Sequence, residues 1–309
     1  MANFSNHPLY RIHTLDSAMG SLWDFYKKNF IAMFLASFVV SLCVQLISAQ
    51  MNFGDLTNYT NDPMQLLEKY KSMMVPFLEM AAISLVFNLI LQYYVMFNAL
   101  EEHPNMFTAA YKSLKYLPAY IIILILFMAM ASFALIIGLL VFVVGMIFAA
   151  FWLAMVFMFI LPVLMSEGTD IGHAISRTFS LSHKGFWSNM GWVALMMLIA
   201  MVISLLLSGL IMIPFSGSFL KIFTHPEEAS SMMNYTSNPL FIILSAATGA
   251  IVTPLMPILS AILYFNAIAR ESAVVPADQN KEPERVSVED LYPKTYSDDH
   301  PDNPDNKKE

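Results

Sequence analysis

The chain has 309 residues, of which 57% are hydrophobic and 13% are charged, whereas a soluble domain is about half apolar and about a quarter charged. This composition excludes an ordinary cytosolic enzyme and indicates a membrane protein. The formal net charge is −7, and the single cysteine, Cys43, excludes an internal disulfide framework and a multi-cysteine metal site. We expect neither a metal nor a cofactor.

Five stretches of the chain contain no Asp, Glu, Lys or Arg, and each exceeds the roughly 20 apolar residues needed to cross a hydrocarbon core. They cover residues 29–54, 80–100, 116–166, 185–220 and 229–269. The third stretch would form a helix of about 75 Å, more than twice the core thickness, so we expect it to fold back between Gly138 and Gly145. The sequence therefore predicts six spans, at about 30–49, 77–99, 117–139, 142–165, 188–213 and 240–268.

The orientation of the spans follows from the distribution of Lys and Arg. With six spans, eight basic residues of the first 270 fall on one side of the membrane and three on the other. Short cytoplasmic loops carry the Lys and Arg excess. We therefore expect both termini in the cytoplasm.

An internal repeat precedes the odd-numbered spans. Residues 17–30 align with residues 173–186, with Ala, Lys and Phe at identical offsets, and residues 107–116 form a looser third copy. Apolar side chains recur at helical spacing in 170–186, which predicts an amphipathic helix in the membrane interface. The sequence thus predicts an all-α, polytopic bundle of six transmembrane helices in repeated hairpins, with interfacial amphipathic helices.

The sequence predicts that the chain divides into three segments. Residues 1–29 are a cytoplasmic amphipathic leader, residues 30–270 the six-span membrane domain, and residues 271–309 an acidic cytoplasmic tail. The tail carries eleven acidic and five basic residues and lacks apolar periodicity, which predicts disorder. We expect Val286–Leu291 to serve as a docking segment for an envelope protein partner. The acidic tail and the lack of a basic aromatic patch argue against nucleic-acid binding.

Two short motifs carry a family resemblance. Ala174-x-x-Arg177 leads through Gly185 into the fifth span, and Phe-Asn-Ala closes both the second span, at Asn98, and the sixth, at Asn266 before Arg270. This pattern resembles the membrane domain of some bacterial glycerophosphodiester phosphodiesterases and its stand-alone six-span relatives of unknown function. The resemblance covers roughly residues 10–272 and implies a multi-pass protein of the bacterial inner membrane. The family usually has an acidic residue where Asn266 stands, and the catalytic barrel of about 250 residues is absent.

Polar residues inside the spans are the candidates for a functional path. Gln45 lies in the first span, and Asn88 and Gln92 lie four residues apart in the second, on one helix face. They either line a substrate path or form interhelical hydrogen bonds that fix the bundle. Glu79 is expected in the first turn of the second span. No other charged residue lies well inside a span, which argues against conventional ion-coupled transport.

Two further groups of residues are candidates for a functional role: basic residues near the membrane interface and prolines in the last span. The basic residues beside the amphipathic leaders either contact lipid headgroups or set the topology; they are Lys27, Lys28, Lys112, Lys115, Arg177 and Lys184. Pro254 and Pro257 remove backbone donors from the last span and should bend it, either as a gating hinge or as a static kink.

Three functions fit these observations. The first is a non-enzymatic inner-membrane protein that organises lipids or partner proteins. The second is a passive or weakly selective transporter of a small or lipid-like substrate, with a path lined by the three amides. The third is a membrane enzyme acting on lipid headgroups, with Asp170 and Arg177 at its site. A cavity into which the amides converge would favour transport. No sequence pattern specifies an oligomeric state.

Overall fold

The computed structural model describes residues 4–51, 63–101, 105–215 and 238–274, and these residues form helices and connecting turns without a strand. The all-α prediction is confirmed. The α-helices are α1 (Leu15–Lys28), α2 (Phe30–Ser48), α3 (Pro63–Phe97), α4 (Met106–Ser113), α5 (Leu117–Leu140), α6 (Phe142–Glu167), α7 (Ile171–Lys184), α8 (Phe186–Met212), α9 (Pro239–Val252) and α10 (Leu255–Val274).

Six segments of the described chain are long and apolar enough to cross a membrane, and each overlaps one of the six predicted spans. Helices α2, α3, α6 and α8 contribute one segment each, α4 with α5 forms the third, and α9 with α10 forms the last. The chain is therefore a multi-pass helical membrane protein. It divides into two compact units, Met1–Ala269 and Arg270–Glu309. Within the second unit the structure describes 270–274, so the predicted tail and its docking segment lie almost entirely outside the described residues.

Short helices precede the first, third and fifth spans, as the repeat predicts. Helix α7 begins and ends 156 positions after α1, so the two leaders have the same length and the same relation to the following span. Each leader begins at a polar residue whose side chain accepts a backbone N–H of the first turn. These N-cap residues are Thr14 for α1, Asn105 for α4 and Asp170 for α7. Ala18 and Ala174, which occupy equivalent positions, are both buried.

The 51-residue apolar run folds back where its two glycines lie. Helix α5 ends at Leu140 and α6 begins at Phe142, which adopts φ 60°. A Cβ atom built on Gly145 would lie 2.5 Å from the carbonyl oxygen of Gly138. The two helix ends therefore approach at backbone distance, which only glycine permits here.

Two predicted spans differ from the structure. Helix α3 begins at Pro63, before the predicted start of the second span, so Glu79 and Pro76 lie inside the helix and not in its first turn. At 35 residues α3 is about 52 Å long, which exceeds the hydrocarbon core. The sixth span is interrupted between Val252 and Leu255, as the two prolines suggested.

The packed core lies at the end of the bundle that carries α1, α4 and α7, which we call the leader end. Buried side chains are concentrated in the last turns of α3, the second half of α6 and the first part of α10. Apolar residues towards the opposite, far end are widely exposed, including Phe77 at 63% and Leu206 at 66%. Hydrocarbon solvates these residues as well as protein would, so the helices need not pack closely at the far end.

The segment before α1 is part of this core. The ring of His7 lies against Phe265, with 4.7 Å between centroids, and its Nε2 lies 3.1 Å from the carbonyl oxygen of Val95. The backbone N–H of Leu9 donates to His7 Nδ1, which leaves the proton on Nε2 to donate to Val95. Burial lowers the pKa of His7 to about 4. The leader segment is thus anchored by a neutral histidine.

We predict that replacing Gly145 with Val destabilises the α5–α6 hairpin, because the new side chain would collide with the backbone of Gly138. Overpacking of this kind costs about 1–3 kcal/mol, so the melting temperature in mild detergent should fall by several degrees. Gly191→Val is the matched control, since it adds the same side chain within a helix where a Cβ meets nothing within 4 Å. Equal melting temperatures for wild type and Gly145→Val would contradict the proposed turn.

We predict that the protein loses stability in acid through His7. His7 binds a proton near pH 6.5 in the unfolded chain and only near pH 4 in the folded chain. Its contribution to stability is therefore constant above about pH 7.5 and is lost as the pH falls from about 6.5 to 4. The full loss is about 3 kcal/mol. His7→Gln, whose amide can still donate to Val95, should flatten this part of the curve of melting temperature against pH. A variant curve parallel to that of wild type would contradict the assignment.

Candidate functional site

Two of the three predicted amides line one cavity inside the bundle. Gln45 on α2 and Asn88 on α3 face a half-open space of about 430 Å³, which is completed by the junction of α9 and α10. We call this space the seam cavity. Its lining residues are Val40, Ser41, Val44, Gln45, Ser84, Phe87, Asn88, Leu91, Ser245, Gly249, Thr253, Met256 and Pro257. Among the described residues, the lining contains hydroxyl and amide groups and no charged side chain.

Small and polar residues follow each other at four-residue spacing on all three helices around the cavity. Residues four apart lie on one helix face, so each set forms a stripe along the seam. The stripes are Ser37, Ser41 and Gln45 on α2, Ser84, Asn88 and Gln92 on α3, and Ser245, Gly249 and Thr253 from α9 to its end. Sequence reasoning found the amides and missed the hydroxyl groups, although the spacing of four in each apolar run was a readable signal.

Gln92 and Ser37 extend these stripes towards the leader end. Both side chains are almost fully buried, at 1% and 0% exposure. Within the described residues, Gln92 Nε2 and Ser37 Oγ have no hydrogen-bond partner. An unsatisfied buried polar group costs about 1–3 kcal/mol. Two such atoms one turn from the cavity indicate a place where a polar molecule would complete the hydrogen bonds.

The last span is broken beside the cavity. Helix α9 ends at Val252, Thr253 turns its hydroxyl back to the carbonyl of Gly249 at 2.7 Å, and α10 begins after Pro254. The break frees carbonyl groups that no water can satisfy in hydrocarbon. The hydroxyl of Tyr26, on α1, donates to the carbonyl of Ile251 at 2.9 Å. A leader helix therefore stabilises the broken span, and Pro257 lines the cavity just beyond the break.

Close contact between α2 and α9 forms one wall of the cavity. A Cβ atom built on Gly249 would lie 3.0 Å from the hydroxyl oxygen of Ser41. The glycine thus brings the first and last spans together beside the two amides. Any larger side chain at this position would press on Ser41.

The predicted headgroup residues have several different surroundings. Lys27 pairs with Asp24 at 3.1 Å, and Lys112 pairs with Glu101 at 2.8 Å. Lys115 lies over the ring of Tyr116, 4.8 Å from its centroid. Lys184 is exposed at the end of α7. Lys28 borders a second cavity at the leader end.

Arg177 belongs to a polar network that joins α6, α7 and α10. Its Nε donates to both carboxylate oxygens of Glu167, at 3.0 and 3.1 Å. The hydroxyl of Tyr264 donates to the same carboxylate at 3.2 Å and accepts from Ser166 at 2.6 Å. Asp170 is engaged elsewhere, because its carboxylate accepts the backbone N–H of His173. The two residues of the enzyme hypothesis therefore serve separate structural contacts.

The motif residues occupy junctions at the leader end. Ala174 is buried on α7, and Gly185 separates α7 from α8. Asn266 is buried, and its side-chain oxygen accepts the backbone N–H of His13 at 2.9 Å. An uncharged amide therefore suffices to attach the leader segment to α10. Asn98 opens the 3₁₀ turn after α3, and Arg270 lies in α10.

Comparisons with protein-family models, with curated proteins and with solved structures gave no match to this chain. The resemblance to the membrane domain of glycerophosphodiester phosphodiesterases stays a prediction.

We predict that Tyr26→Phe loosens the break in the last span, because the carbonyl of Ile251 loses its donor. The expected cost is about 1–3 kcal/mol, seen as faster amide hydrogen exchange in residues 249–258. Tyr116→Phe is the control, since it removes a comparable bond to the carbonyl of Met165 at 3.1 Å on another helix. Equal exchange at the break in both variants would contradict a specific role for Tyr26.

Proposed function

We propose that the protein is a passive, weakly selective transporter of a small, uncharged or lipid-like molecule, and that the seam cavity is the binding site on its path. The resemblance drawn from the motifs gives an architecture without an activity, so the proposal rests on the cavity. Its volume of about 430 Å³ lies within the usual range of small-molecule sites, about 300–1,000 Å³.

The placement of the amides is the observation that carries the proposal. A scaffold would spend Gln45, Asn88 and Gln92 on hydrogen bonds between helices. Gln45 and Asn88 instead border open space, and Gln92 Nε2 is unsatisfied within the described residues. Uncharged donors and acceptors with apolar neighbours suit a substrate that carries hydroxyl, amide or carbonyl groups beside a hydrocarbon portion.

The broken last span supports movement around this site. In many transporters, discontinuous membrane helices border a substrate site near the bilayer midplane. Thr253, Met256 and Pro257 place the break of α9 and α10 against the seam cavity. A short rotation of α9 about this break would change the width of the cavity while α10 stays packed in the core.

We propose a non-enzymatic role, because Arg177 is bound by Glu167 and Asp170 caps α7.

We also propose a location in the bacterial inner membrane with both termini in the cytoplasm. The leader end carries Lys and Arg from all three leaders, and the positive-inside rule would assign that end to the cytoplasm.

Cysteine labelling tests the site without knowledge of the substrate. Cys43 is the only cysteine in the sequence, so a Cys43→Ala background accepts single cysteines at Gln45, Asn88 and Leu206. We expect a charged, membrane-impermeant thiol reagent to label the first two positions and to leave the third unlabelled, because Leu206 is 66% exposed on the lipid-facing surface. Unreactive cysteines at both cavity positions in a folded protein would overturn the proposal.

Flux through the site is the second measurement of the same prediction. Glycerol, an uncharged polyol, serves as the probe in proteoliposomes whose shrinkage is followed by light scattering. Asn88→Leu and Gln92→Leu should each lower the protein-dependent flux by about two- to tenfold, the equivalent of one lost hydrogen bond of about 0.5–1.5 kcal/mol. Ser132→Leu is the control, because Ser132 is exposed on α5 away from the seam cavity.

A further inference from the structure

A second cavity lies at the leader end, between α1 and the ends of the first two spans. Its volume is about 440 Å³, similar to that of the seam cavity. Arg11, Ser21, Asp24, Lys28 and Asn29 supply its polar lining, and Ala99 borders it from the end of the second span. We call this space the leader cavity. None of the residues around the seam cavity contributes to it.

The charges around the leader cavity favour an anion. Arg11 and Lys28 bring two positive charges and Asp24 one negative charge, which is engaged with Lys27 at 3.1 Å. Arg11 is held in place by a bond from its Nη2 to the buried hydroxyl of Ser21 at 2.5 Å. Within the described residues, no carboxylate pairs with Arg11 or Lys28.

The donors that remain match a phosphate group. A guanidinium carries five N–H donors in a planar fork, and one of them is used by Ser21. The others can bind two oxygens of one tetrahedral anion, while the ammonium of Lys28 supplies a flexible point charge. The fork matches the geometry of both carboxylate and phosphate oxygens, and a phosphate offers more oxygens to share between the two cations.

The position of the leader cavity agrees with this ligand. Asn29 lies between α1 and the first span, and Ala99 follows α3 directly. The cavity therefore lies where spans leave the hydrocarbon core, at the depth of lipid headgroups. Leu9 and Phe25 also line it, so the cavity offers apolar surface as well as polar groups.

We propose that the leader cavity binds a phosphate ester at the membrane interface, with Arg11 as the principal contact and Lys28 as the second. The phosphate belongs either to an anionic lipid headgroup or to a soluble phosphate ester. This site is separate from the transport path proposed above, and neither proposal depends on the other.

The test uses the full-length protein and two probes. Phosphatidylglycerol retained by the protein is measured by native mass spectrometry, and sn-glycerol 3-phosphate binding in detergent is measured by calorimetry. We expect the double variant Arg11→Ala, Lys28→Ala to weaken binding of at least one probe by about tenfold or more, the usual size of a lost charge-assisted bond. Lys115→Ala is the single-charge control, because it removes one positive charge from the turn after α4, outside the leader cavity.

The outcomes separate the two sources of phosphate. Retention of phosphatidylglycerol without binding of sn-glycerol 3-phosphate assigns the site to a lipid headgroup, and the reverse assigns it to a soluble ester. Wild-type affinity in the double variant, equal weakening in Lys115→Ala, or binding of neither probe would overturn the proposal. If Arg11→Ala perturbs folding, Arg11→Lys and Lys28→Gln test the same contacts, and Lys28→Gln should weaken binding several-fold.

Discussion

Hydrocarbon offers no hydrogen bond to a backbone carbonyl, and this constraint determines the design of the protein. It makes the spans helical, because a helix satisfies its amides internally. It also explains why the interruption of the last span lies beside a leader helix. Tyr26 reaches from α1 to the carbonyl of Ile251, so an interfacial helix supplies the donor that neither lipid nor the span itself provides.

The leaders therefore have two structural tasks. Each begins at a polar N-cap and leads the chain into the next span, and each packs a buried face against the core at the leader end. Contacts from the first leader segment reach the second span through His7 and the last span through Asn266. The leader end is thus the common anchor for helices whose described side chains are widely exposed towards the far end.

The difference in packing between the leader end and the far end explains the position of the seam cavity. Helices held firmly at one end and loosely at the other leave room between them, and the seam cavity lies between α2, α3 and the broken span. Gly249 brings α2 and α9 together on one side, while the four-residue stripes supply polar groups at the same depth. Binding groups without charge suit an interior in which an unpaired charge would be very expensive.

Much of the architecture could be predicted from the sequence, because membrane spans and leaders depend on local properties. Length and charge-free runs determined six spans, two glycines determined the turn at 138–145, and alignment with the first leader predicted α7 in register. The sequence also identified Gln45 and Asn88 as candidates. It did not show that they share a cavity, because lateral packing between spans depends on side-chain shape across helices that are distant in the chain.

Only the tertiary structure decided the remaining contacts. The bonds from Tyr26 to Ile251 and from His13 to Asn266 join residues more than 200 positions apart, and no periodicity indicates such pairs. The pairing of Arg177 with Glu167 likewise depends on how α7 turns back from α6 at Gly168, which adopts φ 117°. Hydrophobicity within one segment determines whether it enters the membrane, whereas the partners of its polar groups depend on the fold of the whole chain.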